Sequence, residues 1–216
     1  MKKFAVVLSG CGVYDGAEIH EATLSMLAIQ RQGGEYQCFA PNINQHHVIN
    51  HLNGEEMNES RNILIESARI ARGDIKDLNE FNANDFDALL FPGGFGVAKN
   101  LSTVAFEGSQ ATVNEDILKV VKDINQQKKP IGALCISPAI IAKILGDVNV
   151  TIGNEKATAD VIESFGATHI ETTHGDVVFD EDNIVFTTPC YMLDANITDI
   201  DDGANNIVDA MLKWMD

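Results

Sequence analysis

The amino-acid sequence predicts an α/β fold in which helices flank a doubly wound, mostly parallel sheet. Short apolar runs alternate along the chain with segments whose apolar residues recur every three or four positions. Most of the runs are too apolar for strands that face water on one side, which indicates strands buried on both faces. Because strand-like and helical segments alternate with short links, successive strands are expected to lie parallel in one sheet.

The individual elements follow from these patterns. The runs predicted as strands are Phe4–Ser9, Tyr36–Ala40, Asp87–Phe91, Pro130–Leu134 and Ile184–Thr187. Segments with one apolar helical face are Ile19–Ile29, Glu59–Ala71, Val113–Ile124 and Ala204–Met215, the last closing the chain as a docked helix. Two apolar runs around a polar turn predict a small β-hairpin within Asp176–Thr188.

The length of 216 residues suits a single domain, and the sequence contains no internal repeat or linker. The segment 42–82 is long for one crossover between strands. We interpret it as an insertion over the edge of the site, because such insertions are often functional.

The composition excludes several classes of partner. Lys and Arg total 15 against 32 Asp and Glu, which gives a formal charge of -17. This charge argues against nucleic acid or an anionic membrane as the main partner, because binding to phosphate groups needs a basic surface. No run approaches the roughly 20 apolar residues of a transmembrane helix. The apolar run at Phe4–Leu8 is too short for a signal peptide, and the four cysteines are widely spaced without a CxxC motif. We therefore expect a cytoplasmic protein with reduced thiols.

Cys135 lies where a predicted strand passes into a helix. Ala133 and Ser137 flank it at two residues on either side, and small residues at these positions are what a sharp nucleophile elbow requires. Ser137 suits the cap of the next helix and Pro138 its first position, so the helix would lower the pKa of the thiol. The alternative is a buried cysteine that only packs in the core.

Two other strand ends are expected at the same edge of the sheet. Pro92-Gly93-Gly94 offers backbone N–H groups to an oxyanion, although a glycine pair also suits an ordinary tight turn. Glu18 and Glu21 lie three residues apart at the start of the first helix. A carboxyl beside Cys135 would hydrogen-bond the thiolate or carry a proton, and the alternative is that both glutamates only complement the helix dipole.

These strand ends together resemble the ThiJ/PfpI superfamily, the class I glutamine amidotransferase-like proteins with flavodoxin-like folds. Within it the sequence is similar to the ElbB branch of isoprenoid biosynthesis glyoxalases, or enhancing lycopene biosynthesis proteins. The motifs that carry the resemblance are Ser9–Gly16, Glu18–Ala22, Val48–His51, Arg61-Asn62, Phe91–Gly96, Lys99–Leu101, Cys135-Ile136 and Thr187–Pro189. The resemblance implies one class I glutamine amidotransferase-like domain over residues 1–216.

The resemblance implies a weakly active, glyoxalase III-like lyase that needs no cofactor and converts methylglyoxal or glyoxal to the hydroxy acid. It makes Cys135 the nucleophile and Glu21 the proton carrier. The residues assigned to oxyanion and substrate binding are Gly93, Gly94, Ile136, Glu18 and His51. The implied partner is a small aldehyde substrate, and relatives of this kind are often homodimers.

The sequence departs from the superfamily in its histidines. Ile136 stands directly after the cysteine, and Gly153-Asn154-Glu155 stands where a second histidine is usual. Glutaminase activity is therefore not expected, and His46, His47 and His51 of the insertion are candidate sources of an imidazole. The spacing of His47 and His51 also suits a metal, but no second pair of ligands completes a site, so we expect none.

A non-enzymatic function is the alternative. The same scaffold can serve as a redox-responsive or protein-binding module, possibly tied to isoprenoid metabolism, because fold alone does not decide function.

Overall fold

The computed structural model describes residues 1–216 and is built around a sheet of seven strands. These strands are β1 (Lys3–Val7), β2 (Glu35–Ala40), β3 (Ile75–Asp77), β4 (Ala88–Phe91), β5 (Ile131–Leu134), β8 (Val178–Asp180) and β9 (Val185–Thr188). A separate parallel pair consists of β6 (Asn149–Val150) and β7 (Thr168–His169). The order in the main sheet is β3-β2-β1-β4-β5-β9-β8, and only β8 runs antiparallel to its neighbour. The predicted flavodoxin-like α/β fold with its small hairpin is confirmed.

Eight α-helices accompany the sheet. They are α1 (Ile19–Arg31), α2 (Ile63–Ile70), α3 (Phe95–Lys99), α4 (Val104–Glu107), α5 (Glu115–Gln126), α6 (Pro138–Leu145), α7 (Lys156–Ser164) and α8 (Ile197–Met215). None of them is both long and apolar enough to cross a membrane.

Two apolar clusters, one on each face of the sheet, form the core. In β1, Ala5 and Val7 belong to one cluster, whereas Phe4 and Val6 belong to the other. Helices α5 and α6 cover the first face, and α1 and α8 cover the second. Since alternate side chains of a strand point to opposite faces, both faces need apolar residues, which explains the continuous apolar runs of the sequence.

The segment 42–82, which the sequence suggests is an insertion, contains regular structure. It contains α2 and the edge strand β3, which pairs in parallel with β2. Helix α2 begins at Ile63 rather than at Glu59, because the side chain of Asn62 accepts a hydrogen bond from the Ile65 N–H and caps the helix there.

The topology fixes where a site is expected. The chain winds from β1 outward to β3, then returns to β4 on the other side of β1. Such a switch point opens a crevice at the carboxyl ends of the strands. The segments that follow β1, β4 and β5 meet there, and they carry the residues selected from the sequence.

Candidate active site

Cys135 occupies the sharp elbow after β5. Its φ is +60°, a left-handed conformation that costs a non-glycine residue about 1–2 kcal/mol. The Cys135 N–H donates to the Thr188 carbonyl at 3.0 Å, and the side chain remains 7% exposed. The elbow expected from the sequence is therefore present, and the strain concentrates at the residue with the thiol.

Ser137 does not cap α6 as expected from the sequence. It holds the N-cap position without a capping hydrogen bond, and its hydroxyl instead donates to the Pro92 carbonyl at 2.8 Å. This buried bond ties the loop after β4 to the elbow after β5. The prediction of a serine cap is wrong because a carbonyl of the neighbouring strand end competes for the hydroxyl.

Glu21 lies fully buried beside Cys135. The Gly93 N–H donates to its Oε2 at 2.8 Å, and the Tyr191 N–H donates to its Oε1 at 3.3 Å. These amides fix the carboxyl next to the sulfur. The Gly93 N–H is consequently occupied, so the predicted oxyanion-binding role of Gly93 is not supported by this geometry.

The absence of a side chain at Gly93 is required by this arrangement. A Cβ there would lie 2.4 Å from the Cys135 Cβ and 2.7 Å from Oε2 of Glu21. Glycine thus allows the nucleophile and the carboxyl to approach the same backbone.

The pKa values of Glu21 and Cys135 are both raised. Burial, followed by the charge of Glu18, raises the pKa of Glu21 from 4.5 to about 7. Burial and the charge of Glu21 raise the pKa of Cys135 well above its ordinary value. The sequence predicted a lowered thiol pKa, and that prediction is wrong because burial outweighs the favourable amides. Since two negative charges are disfavoured in this site, the pair retains one proton around neutral pH.

Stability should therefore depend on the ionisation of Glu21. Because its folded pKa is raised, the protonated form stabilises the fold, and that stabilisation is lost as pH rises from about 4.5 to about 7. We expect the unfolding free energy of the wild type to fall by about 2 kcal/mol more than that of Glu21→Gln between pH 5.5 and 8. Urea unfolding at both pH values measures this difference. Equal pH dependence of the two proteins would contradict the shift.

Two backbone amides face the sulfur. Hydrogen bonds from the Gly94 and Ile136 N–H groups favour the Cys135 thiolate, and neither amide donates to a backbone carbonyl elsewhere. The φ of Gly94 is +99°, and a Cβ there would lie 2.4 Å from the Glu18 nitrogen. The two amides that the resemblance assigns to oxyanion binding thus both lie at the sulfur, where the charge of an adduct would develop.

A cavity of about 350 Å³ opens above the sulfur. Its lining comprises Val13, Gly94, Phe95, Cys135, Ile136, Glu155, Thr158, Tyr191 and Met192. The sequence assigns a role at the site to only three of these residues, Gly94, Cys135 and Ile136. Val13 and Phe95 belong to recognised motifs but have apolar side chains that suggest no chemistry, and the others come from distant segments without a recognisable motif. The position of Tyr191 is fixed in part by a 2.8 Å hydrogen bond between its hydroxyl and Nδ1 of His20.

Glu155 lines this cavity, in the segment where other members of the superfamily usually have a histidine. Its carboxylate accepts hydrogen bonds from the Ala157 and Thr158 N–H groups at the start of α7. Bonds from Thr158 and Ala157 lower the pKa of Glu155. A carboxylate held in this way is a poor proton acceptor and does not replace an imidazole.

Glu18 lies outside the cavity, contrary to its predicted substrate-binding role. Its carboxylate caps α1 by accepting the Glu21 N–H at 2.8 Å. It acts on the site through its charge and by holding the first turn of α1 in place.

His51 also lies outside the cavity, and the structure corrects its predicted role. Its Nε2 accepts the Tyr14 N–H at 3.2 Å, and its Nδ1 contacts the Ile49 carbonyl at 3.0 Å. Because a backbone amide can only donate, these two contacts fit the arrangement in which Nε2 accepts and Nδ1 donates. His51 therefore supports the loop between β1 and α1 and supplies no imidazole to Cys135.

Other motif residues stabilise the same loop. Asn100 donates to the carbonyls of Ser9 and Asp15 at 2.9 and 2.8 Å, and Lys99 donates to the Tyr14 carbonyl at 2.9 Å. The motifs around Lys99 and His51 thus hold the segment that leads into Glu21.

A model of the DJ-1/PfpI family matches residues 11–189. The chain belongs to the DJ-1/PfpI family. A human relative, glutamine amidotransferase-like class 1 domain-containing protein 3, is 45% identical over 98% of this chain and 82% of its own length. A zebrafish relative, ES1 protein, is 36% identical over 97% of this chain and 84% of its own length.

Solved structures agree with the family. An isoprenoid biosynthesis protein with an amidotransferase-like domain from Ehrlichia chaffeensis is 37% identical, with a TM-score of 0.94 and full coverage of both chains. Glyoxalase III from Candida albicans has a TM-score of 0.62 at 17% identity, covering 98% of this chain and 96% of its own. The second likeness shows the shared fold alone.

The relatives correct the expected location. The human, rat and zebrafish proteins are all named as mitochondrial, which contradicts the cytoplasmic location predicted from the sequence. That prediction rested on the lack of an export signal and of paired cysteines, and neither feature distinguishes the cytoplasm from a mitochondrial compartment.

Proposed function

We propose that this DJ-1/PfpI family member is a cofactor-independent, glyoxalase-like enzyme that converts 2-oxoaldehydes to 2-hydroxy acids. The observation that carries the proposal is the grouping at the cavity floor. The Cys135 sulfur lies between the amides of Gly94 and Ile136, which face it, and the buried carboxyl of Glu21, whose pKa is about 7. A nucleophile, an oxyanion site and a proton carrier are the groups that this reaction needs.

The first step is addition of the Cys135 sulfur to the aldehyde carbon. The new C–S bond forms as the carbonyl π electrons move to oxygen, and the two amides stabilise the developing negative charge. The proton shared by Cys135 and Glu21 neutralises this oxygen. The product is a hemithioacetal, and Glu21 is left as the carboxylate.

The second step moves a proton between adjacent carbons. Glu21 removes the proton from the carbon bonded to sulfur, giving an enediolate, and returns it to the neighbouring carbon. The hydroxyl proton on the first carbon passes to the oxygen of the second, so that the first carbon becomes the thioester carbonyl. The result is a thioester of the 2-hydroxy acid, which water hydrolyses to release the acid and the Cys135 thiol. The overall change is addition of one water, without net oxidation or reduction.

Formation of lactate from methylglyoxal tests the proposal. Because the reactive pair must lose its first proton, we expect kcat/KM to rise with pH through about 7 and then level off. Turnover should be slow, since methylglyoxal offers little surface for binding. Chiral analysis of the lactate separates enzymatic product from spontaneous, racemic product. Racemic lactate at the uncatalysed rate would contradict the proposal.

We propose that the protein belongs to the ElbB branch of the family. Support comes from the 37% identity to the Ehrlichia chaffeensis isoprenoid biosynthesis protein over the full length of both chains.

Glutamine hydrolysis is not proposed, because no histidine lines the cavity around Cys135. A redox-sensing role is less well supported, because such thiols are exposed with a low pKa, whereas Cys135 is 7% exposed with a raised pKa.

A further inference from the structure

An apolar groove adjoins the cavity above Cys135. Phe95, Ile136 and Thr158 line both spaces, so the two lie side by side. The groove has a volume of about 220 Å³ and runs between α3, α4 and α7. Its other lining residues are Ala98, Val104, Ala105, Ala157 and Val161.

The lining selects for uncharged, apolar groups. Three alanines keep the groove open, and Thr158 is its only residue with a polar side chain. Neither space is lined by Lys or Arg, and the carboxylate at the cavity is Glu155. Lys99 Nζ lies 5.2 Å from the centroid of the Phe95 ring but lines neither space. A phosphorylated or carboxylated substrate would therefore find no cation in the lining and would meet the negative charge of Glu155.

Methylglyoxal leaves the groove empty. It carries one methyl group beyond its two carbonyl carbons, and the cavity at Cys135 already accommodates a molecule of that size. We propose that the preferred substrates are uncharged 2-oxoaldehydes with an apolar chain, and that the groove between α3, α4 and α7 holds this chain. The inference rests on the proposed function and specifies its substrate class.

A homologous series of substrates tests the groove. The series runs from methylglyoxal through 2-oxobutanal and 2-oxohexanal to 2-oxooctanal. We expect kcat/KM to rise by about fourfold for each of the first few methylenes that the groove buries.

Two variants fill the groove. Ala105 and Ala157 are exposed residues that line it, so Ala105→Phe and Ala157→Phe add bulk without disturbing the core. Each should reduce the ratio of kcat/KM for 2-oxohexanal over methylglyoxal at least tenfold. Lys156→Phe is the matched control, because it places the same side chain on the adjacent exposed position outside the groove and should preserve the ratio.

A second measurement does not depend on turnover. Methyl, butyl and hexyl methanethiosulfonates transfer their alkylthio group to a thiolate, forming a mixed disulfide and releasing methanesulfinate. Peptide mass analysis gives the rate at Cys135, normalised to the rate with glutathione. The normalised rate should increase with chain length in the wild type and lose that increase in Ala157→Phe.

The outcomes separate the two proposals. Chain-length dependence in both experiments supports the groove assignment. Turnover of methylglyoxal with flat responses to chain length would overturn the substrate class and leave the glyoxalase function intact. Chain-length dependence at Cys135 without turnover of any 2-oxoaldehyde would overturn the proposed function while supporting the groove as a site for an apolar chain.

Discussion

Replacing Cys135 with serine is expected to reduce hydroxy acid formation by about 10³-fold or more, because the nucleophile is lost. Serine differs little in size, so the elbow after β5 and its hydrogen bond to Thr188 should persist. The serine hydroxyl ionises much less readily than a thiol, and burial opposes its ionisation further. Purified wild type and Cys135→Ser are compared by lactate formation at pH 8, with thermal unfolding measured in parallel.

Cys190 provides the matched control for this substitution. It is also a buried cysteine with a positive φ, +42°, but it does not line the cavity. We expect Cys190→Ser to keep kcat/KM within about fivefold of the wild type, in line with its position outside the reacting groups. Equal losses in both variants would mean that a general disturbance of the site, and not loss of the nucleophile, explains the effect.

Much of the fold is predictable because burial on both faces leaves a local signal. Each of the five predicted strands corresponds to an observed strand within about two residues, the usual uncertainty at element ends. The elbow is predictable for the same reason, because its sequence signal lies within two residues of Cys135: Ala133 and Ser137 must be small for the chain to turn there. The short strands β3, β6 and β7 leave no comparable pattern, because two or three residues cannot establish a periodicity.

The walls and electrostatics of the site depend on contacts between distant segments. Tyr191 reaches Glu21 across 170 positions, and no spacing rule connects them. The direction of the Cys135 pKa shift depends on how deeply the elbow is buried, which the sequence around it does not encode. His51 was selected because it belongs to a motif, but its motif stabilises the loop before α1 and does not contact the cavity.

Replacing Glu21 with glutamine is expected to lower kcat by about 10²–10⁴-fold, the usual contribution of a positioned proton carrier. Glutamine keeps the shape of the side chain and one acceptor oxygen for the Gly93 N–H. Its NH2 group replaces the oxygen that accepts the longer bond from the Tyr191 N–H, at 3.3 Å, so that bond is lost. It cannot remove the proton from the hemithioacetal carbon. The Cys135 adduct should therefore still form but should not proceed to the thioester.

Two observations distinguish the loss of proton transfer in Glu21→Gln from a general disruption of the active site. Intact mass analysis of Glu21→Gln with methylglyoxal should show an adduct on one cysteine, which Cys135→Ser lacks. Substrate deuterated at the aldehyde carbon should react more slowly wherever proton removal limits the rate, so the isotope effect should be larger in the variant than in the wild type.

Glu18→Gln separates the proton carrier from its neighbour on the same turn of α1. The Glu18 charge raises the pKa of Glu21, so its removal should shift the pH profile of kcat/KM to lower pH while the plateau rate is largely preserved. Loss of the plateau rate in Glu18→Gln, or retention of the plateau rate in Glu21→Gln, would contradict the assignment of proton transfer to Glu21. The contrast follows from position: Glu21 lies against the sulfur, whereas Glu18 caps the helix and acts on the reaction only through its charge.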